Sequence, residues 1–308
     1  MWSAAGWRLT IVLRNQMAPF IADSLSKLKH WRASNAAPWL TSEGSTGPRL
    51  GFVPTMGALH AGHLELVKRA RQDCDLVIVS IFVNPYQFAP TEDFDKYPRT
   101  FERDLSLLTE AGVDCLFYPS EKEIYPKGRE NIVSVVPPSP LNDTLEGAFR
   151  PTFFRGVSTI VLKLFTLVQP HVAYFGEKDF QQLLVIKALA EDLNLPVDII
   201  GVPTVRETDG LAMSSRNAYL DQSKRLLAPV LYKTLASIKA SFEQGDNLDQ
   251  ALARSTAELN NVPDLQLQYL SVCNACSLVP LDSFSRPFVA LVAAKLGDVR
   301  LIDNIVVT

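Results

Sequence analysis

The sequence predicts an α/β fold: a parallel sheet with helices on both faces, plus a smaller C-terminal α+β domain. Two features of the pattern carry this. From about residue 49 to Pro203, short apolar runs alternate with stretches of helical periodicity, as strands joined by crossover helices do. Beyond Pro203 the texture changes to long helices followed by clustered strands, which marks a separate domain. At 308 residues and 47% hydrophobic content, the chain is long enough to bury a core in each.

Taken in order, the strands expected are Leu50 to Val53, Leu76 to Phe82, Cys115 to Tyr118, Val172 to Phe175 and Val197 to Val202. Helices are expected between most of them, at Leu64 to Arg71, Phe101 to Ala111, Val157 to Val168 and Phe180 to Leu193. Ser34 to Pro48 reads as a loop. The arrangement is Rossmann-like, and ligands of such sheets bind at the carboxyl ends of the strands. The polar clusters fall there: Asn84 to Gln87 follows one strand, and Glu177, Lys178 and Asp179 follow another. The boundary is placed at 203, so the first domain spans 1–203 and carries these polar clusters. The remainder, 204–308, holds helices from about Gln222 to Glu243 and Leu248 to Asn260. Strands near Leu265 to Val272, Phe288 to Ala293 and Val299 to Ile302 complete it.

Composition excludes several function classes. A net charge of −3 with no basic block favours a small-molecule enzyme over a nucleic-acid binder. Charges interrupt every long apolar stretch, so no membrane span is expected. The cysteines, Cys74, Cys115, Cys273 and Cys276, are too few for a disulfide scaffold and read as reduced thiols of a cytoplasmic protein. Cys273 and Cys276 form a C-x-x-C with no second pair and no thioredoxin-like surroundings, so the spacing is taken as incidental. Residues 1–16 carry Arg8 and Arg14 and no acid, but the apolar run Leu9 to Leu13 is too short for a secretory segment. We expect an extension dispensable for catalysis, with Met17 an alternative start.

The most informative stretch is Phe-Val-Pro-Thr-Met-Gly-Ala-Leu-His-Ala-Gly-His, residues 52–63. An apolar run meets a proline and a glycine turn, then a helix with Leu64, Val67 and Ala70 on one face. At such a junction the helix dipole and its first N–H groups favour an anion, and His60 and His63, one turn apart, add donors. Metal binding is the weaker rival, since the other histidines, His30 and His171, sit in no ligand cluster.

Other phrases follow it in order: Ile-Phe-Val-Asn-Pro-Tyr-Gln-Phe (81–88), Tyr-Pro-Arg-Thr (97–100), Phe-Gly-Glu-Lys-Asp-Phe-Gln-Gln-Leu (175–183), Asp-Gly-Leu-Ala-Met-Ser-Ser-Arg-Asn (209–217) and Arg-Leu-Ile-Asp-Asn (300–304). Together they strongly resemble the pantothenate synthetase (pantoate–β-alanine ligase) family of the HIGH-motif nucleotidyltransferase superfamily, from about residue 49 to the C-terminus. The resemblance implies a ligase of pantothenate biosynthesis. It joins D-pantoate to β-alanine with ATP and Mg2+, through an enzyme-bound pantoyl adenylate, and releases AMP and pyrophosphate. A homodimer is implied, with small molecules rather than nucleic acid or membrane as partners.

The resemblance also assigns residues. His60, His63 and Lys178 become the catalytic phosphate contacts. Met56, Gly62, Gly176, Asp179, Val205, Met213, Ser214, Ser215 and Arg216 join Lys178 in binding ATP. Ser214 to Arg216 looks like the family's counterpart of the KMSKS loop, borne on a C-terminal lid. Asn84, Gln87, Gln182 and Arg150 match positions that hold pantoate, and Asp179 or Asp104 is a candidate magnesium contact. These residue types suit the chemistry: an ionised carboxylate needs no base to attack phosphorus, only positioning and neutralisation of charge on the phosphates. Amides suit the hydroxyls of pantoate, because a wrong substrate would leave them unpaired.

One phrase departs from the family. Where it reads Arg-Pro-Gly-His-Phe-x-Gly-Val, this chain has Thr152 and Phe153 in place of the glycine and histidine. Two alternatives stay open at this point: a nucleotidyltransferase acting on a phosphorylated acceptor, and a nucleotide-binding homologue with weakened activity.

Overall fold

The computed structural model describes residues 17–36, 47–90 and 92–308. The expected extension over 1–16 and residues 37–46 of the expected loop lie outside them. In chain order the first elements are β1 (Phe20–Ala22), α1 (Leu25–Asn35), β2 (Leu50–Thr55), α2 (Ala61–Asp73), β3 (Leu76–Ile81), α3 (Phe101–Glu110), β4 (Cys115–Phe117) and α4 (Glu121–Ile124). Next come α5 (Glu146–Phe149), α6 (Phe153–Val168), β5 (Val172–Gly176), α7 (Phe180–Asp192) and β6 (Asp198–Val202). The chain closes with α8 (Gln222–Leu227), α9 (Val230–Gln244), α10 (Leu248–Asn260), β7 (Leu265–Asn274), β8 (Phe288–Leu296) and β9 (Val299–Val307).

Contacts divide these into two compact units. One comprises the described residues up to Pro137, with Thr152–Gly176 and Ile186–Val202; the other comprises Pro138–Pro151, Glu177–Val185 and Pro203–Thr308.

The first unit holds a 6-stranded parallel sheet in the order β1-β4-β3-β2-β5-β6. From β2 the chain winds outward through β3 to β4, then returns to lay β5 on the other side of β2. The order therefore reverses between β2 and β5, the switch point at whose carboxyl end such sheets bind ligands. Every residue of β3 is buried, as a strand covered on both faces requires. One face packs Val53, Val77, Val79 and Tyr174 against Leu66, Val67 and Ala70 of α2 and Leu108 of α3. On the other, Phe52 and Phe175 meet Phe165 of α6, with ring centroids 6.4 and 6.3 Å apart. Helices cover both faces, as expected.

Element ends differ from expectation for local reasons. Helix α2 starts at Ala61 because His60 caps it. The pair β1 and α1 was not expected, since a 3-residue strand leaves little periodic signal. The helix expected over Gln222 to Glu243 is two, α8 and α9, because Pro229 caps the second.

The second unit holds a 3-stranded antiparallel sheet, β7-β8-β9. Phe288, Ala290, Val292 and Ala294 of β8 face Leu231, Leu235 and Ile238 of α9 and Leu248 and Leu259 of α10. The alternate residues, Val289 and Leu291, pack instead with Phe180, Leu184, Leu141 and Leu145. Because β8 is apolar on both sides it needs cover on both, and 138–151 and 177–185 supply the second layer. These segments therefore join the C-terminal elements, where a single boundary at 203 had left them outside. No helix among the described residues is long and apolar enough to cross a membrane.

Candidate active site

In the first unit, the turn after β2 is built to present two imidazoles. Gly57 and Ala58 take left-handed backbone, at φ 83° and 49°. A Cβ on Gly57 would also lie 3.0 Å from Ile81 Cγ2 and 3.2 Å from Asp104 Oδ2, so glycine is required there. The Asp104 carboxylate, 1% exposed, accepts the backbone N–H of Ala58 and of Leu59, each at 2.9 Å. Thr100, the cap of α3, donates its hydroxyl to the same carboxylate at 3.1 Å.

His60 then caps α2. Its Nδ1 accepts the Gly62 N–H at 3.2 Å, while His63 Nδ1 accepts the His60 N–H at 3.4 Å. A nitrogen that accepts carries a lone pair, so in each neutral ring the proton is on Nε2. The rings lie 4.1 Å apart, centroid to centroid. The N–H of Gly62 thus orients His60 instead of facing a ligand, a correction to its expected role at an open helix end. The imidazole Nε2–H edges and the dipole of α2 are groups suited to an anion.

Beside this turn lies a buried amide cluster. Asn84 Nδ2 donates to Gln87 Oε1 at 3.1 Å and to the Gly156 carbonyl at 3.3 Å. Its Oδ1 accepts the Tyr86 N–H at 3.3 Å and the Tyr125 hydroxyl at 2.7 Å. Every bonding position of the Asn84 amide is filled, so Asn84 shapes the cluster and fixes the Gln87 amide beside it. Gln87 Nε2 is 3.1 Å from Met56 Sδ, which brings two expected ligand-lining residues together. Burial pushes the Tyr125 phenol well above the usual range, so it stays a donor to Asn84. Helix α6 closes on the cluster at Gly156, where a Cβ would lie 2.5 Å from the Tyr86 carbonyl.

In the second unit, Lys178 and Asp179 share the 3-10 turn Glu177–Asp179, with their charged groups 3.9 Å apart. Val205 and Met213 are joined by a hydrogen bond from the Met213 N–H to the Val205 carbonyl at 3.0 Å. Ser214 caps the turn Ser215–Tyr219 by accepting the Arg216 N–H at 3.2 Å. Arg150 lies 4.0 Å from Glu146, whose carboxylate also receives both arms of Arg300 and the Tyr269 hydroxyl. Gln182 is half-buried, while its neighbour Gln181 bonds the backbone of Leu141, Thr144 and Glu146.

A magnesium ion bound through nucleotide phosphates needs only one or two carboxylates from the protein. Asp179, 44% exposed at its side chain, fits that need. Asp104 does not, because its oxygens are committed to the turn, and its expected role as a metal contact is replaced by bracing. Among the described residues, no group of 3 or more His, Cys, Asp and Glu converges.

A model of the family described as Pantoate-beta-alanine ligase matches residues 21–306. The chain belongs to the pantoate–β-alanine ligase family. It is 50% identical to the pantothenate synthetase of Thermus thermophilus over 83% of its own length and 92% of the relative's. With that of Pseudomonas fluorescens the identity is 51%, over 85% and 91%. Among solved structures, the Thermus thermophilus pantothenate synthetase superposes with a TM-score of 0.86 at 45% identity, covering 93% of this chain and 98% of that one. The pantoate–β-alanine ligase of Francisella tularensis, complexed with beta-gamma ATP and β-alanine, gives 0.76 at 36%, covering 94% and 98%.

The family match begins well before residue 49, where the phrases had placed it, because β1 and α1 belong to the fold. Sequence reading also missed residues that brace others: Tyr125 on Asn84, Glu146 on Arg300 and Tyr269, Arg206 on Asp303, and Asn304 on the turn 177–179. For Asp303 and Asn304 a signal existed, since Arg-Leu-Ile-Asp-Asn puts a carboxylate and an amide inside an apolar strand.

Proposed function

We propose that this pantoate–β-alanine ligase works as follows. ATP and pantoate react at the turn after β2, where a pantoate carboxylate oxygen attacks the α-phosphorus and pyrophosphate leaves. The β-alanine amine then attacks the acyl carbon of the pantoyl adenylate, forming the amide and releasing AMP. The observation that carries this reading is the pair His60 and His63, each holding a backbone N–H on Nδ1 and thereby a proton on Nε2. Two such donors at a helix N-terminus suit charge gathering on a phosphate.

Lys178 adds a cation, and Ser214, Ser215 and Arg216 add donors to the phosphates. Gly176, Val205 and Met213 contact the rest of the nucleotide. Gln87, Gln182 and Arg150 hold pantoate, with Asn84 setting the Gln87 amide. Asp179 would hold magnesium, whose chemistry there would be to neutralise phosphate charge. That beta-gamma ATP and β-alanine are the ligands named for the Francisella tularensis relative supports ATP and β-alanine as substrates. The protein is read as a cytoplasmic homodimer, in keeping with its free described cysteines; light scattering tests the dimer.

Isotope exchange between pyrophosphate and ATP tests the first step. It should require both pantoate and magnesium, and pantothenate should form once β-alanine is added. Absence of pantoate-dependent exchange at saturating substrate would overturn the proposal.

A further inference from the structure

The phrase Arg-Leu-Ile-Asp-Asn ends in two polar residues where a core strand is expected to be apolar. Asp303 and Asn304 of β9 are 4% and 5% exposed. A buried carboxylate and a buried amide persist only where partners hold them. Asn304 Nδ2 donates to two successive carbonyls, that of Glu177 at 2.8 Å and that of Lys178 at 2.9 Å. These belong to the 3-10 turn that carries Lys178. Asp303 receives both arms of the Arg206 guanidinium, at 2.7 and 2.9 Å. Arg206 also donates to the carbonyls of Gly210 and Asn304, each at 3.1 Å, and lies 4.0 Å above the Tyr232 ring.

Adjacent residues of one strand therefore tie down two loops of the second unit. Asn304 holds the turn 177–179. Asp303, through Arg206, holds the hairpin in which Arg206 bridges Ala212 and which leads directly into Ser214-Ser215-Arg216. Both grips are two-point: one amide to two carbonyls, and one carboxylate to a guanidinium fork. Two-point contacts fix orientation as well as distance, and a single bond in either place would let the loop pivot.

We propose that Asp303 and Asn304 are positioning residues for triphosphate recognition. They set the Lys178 backbone and the root of the Ser214 to Arg216 loop in one fixed relation, so the donors stand preset before ATP arrives. The inference rests on the nucleotide role given above to Lys178 and Ser214 to Arg216. Its physical basis is that recognition of a charged group weakens steeply when donors are misplaced by about 1 Å.

The test is a double-mutant cycle between Asn304→Ala and Lys178→Ala, read as the dissociation constant for ATP so that it needs no turnover. Pantoate-dependent pyrophosphate exchange and the melting temperature are measured alongside. Asn304→Ala should weaken ATP about tenfold when Lys178 is present and less than about twofold in the Lys178→Ala background, with KM for pantoate little changed. Asp303→Asn and Arg206→Lys should each weaken ATP while leaving a folded protein. Equal effects of Asn304→Ala in both backgrounds, or parallel loss of ATP and pantoate recognition with falling melting temperature, would overturn the proposal. Should Asn304→Ala fail to fold, Asn304→Ser, which keeps one donor, is read by the same criteria. Wild-type protein that binds ATP without pantoate-dependent exchange would instead overturn the ligase reading.

Discussion

Asp104 Oδ1 accepts the Leu59 backbone N–H at 2.9 Å, one residue before the histidine that caps α2. Its other oxygen takes the Ala58 N–H, so a buried carboxylate fixes the left-handed turn from which His60 and His63 project. A conserved-volume change, Asp104→Asn, replaces one acceptor by an NH2 group that must face a backbone N–H. A buried donor left unpaired costs about 1–3 kcal/mol. We expect Asp104→Asn to lose stability of that order in urea unfolding and to slow pyrophosphate exchange. The magnesium concentration for half-maximal exchange should stay where it is. A raised magnesium requirement with unchanged stability would return Asp104 to the role of metal contact.

Gly156 is a second position where space decides. A methyl group there would stand 2.5 Å from the Tyr86 carbonyl and 2.6 Å from Gln87 Cα, and backbone on both sides has no room to yield. Overpacking of this kind costs about 1–3 kcal/mol. Gly156→Ala should also move the turn that carries Asn84 and Gln87, so KM for pantoate should rise more than KM for ATP. Equal changes in both would detach the amide cluster from pantoate.

The parallel sheet was legible because buried strands read as continuous apolar runs and the helices between them keep a 3.6-residue period, whereas the strand order and its switch point were not. His60, His63, Asn84 and Gln87 could be singled out as candidates because they follow strands inside distinctive phrases. What stayed hidden depends on contacts distant in sequence. Nothing near Asp104 announces that its backbone partners are 45 residues and 46 residues away. The membership of 177–185 and 138–151 in the second unit was hidden similarly, although the unbroken apolar run of β8 signals a second covering layer.

Thiol chemistry separates the cysteines. Burial pushes the thiols of Cys74 and Cys273 up and that of Cys115 to about 12, whereas Cys276 is exposed. The thiolate is the reactive form, so at neutral pH a disulfide reagent should titrate Cys276 rapidly and the buried thiols only on unfolding. Cys276→Ser should abolish the fast phase. A fast reaction that survives this change would show that the segment around Cys74, Cys115 or Cys273 opens.

Phe153 opens α6 three residues before Gly156, so both lie on one side of the helix, the side on which Gly156 meets the turn with Asn84 and Gln87. Its ring is 8% exposed and packs 5.0 Å from that of Phe154. The family phrase has histidine here. Phe153→His removes apolar packing and places two ring nitrogens in a largely dry setting, which should lower stability by about 1–3 kcal/mol. In return it adds a hydrogen-bonding ring on the side of α6 that faces the amide cluster, where a hydroxy acid benefits from a further partner. The expected outcome is a lower KM for pantoate, an unchanged KM for ATP and a reduced melting temperature. Were the ATP constant to move and the pantoate constant to stay fixed, this end of α6 would serve the nucleotide, and the amide cluster would lose its assignment to pantoate.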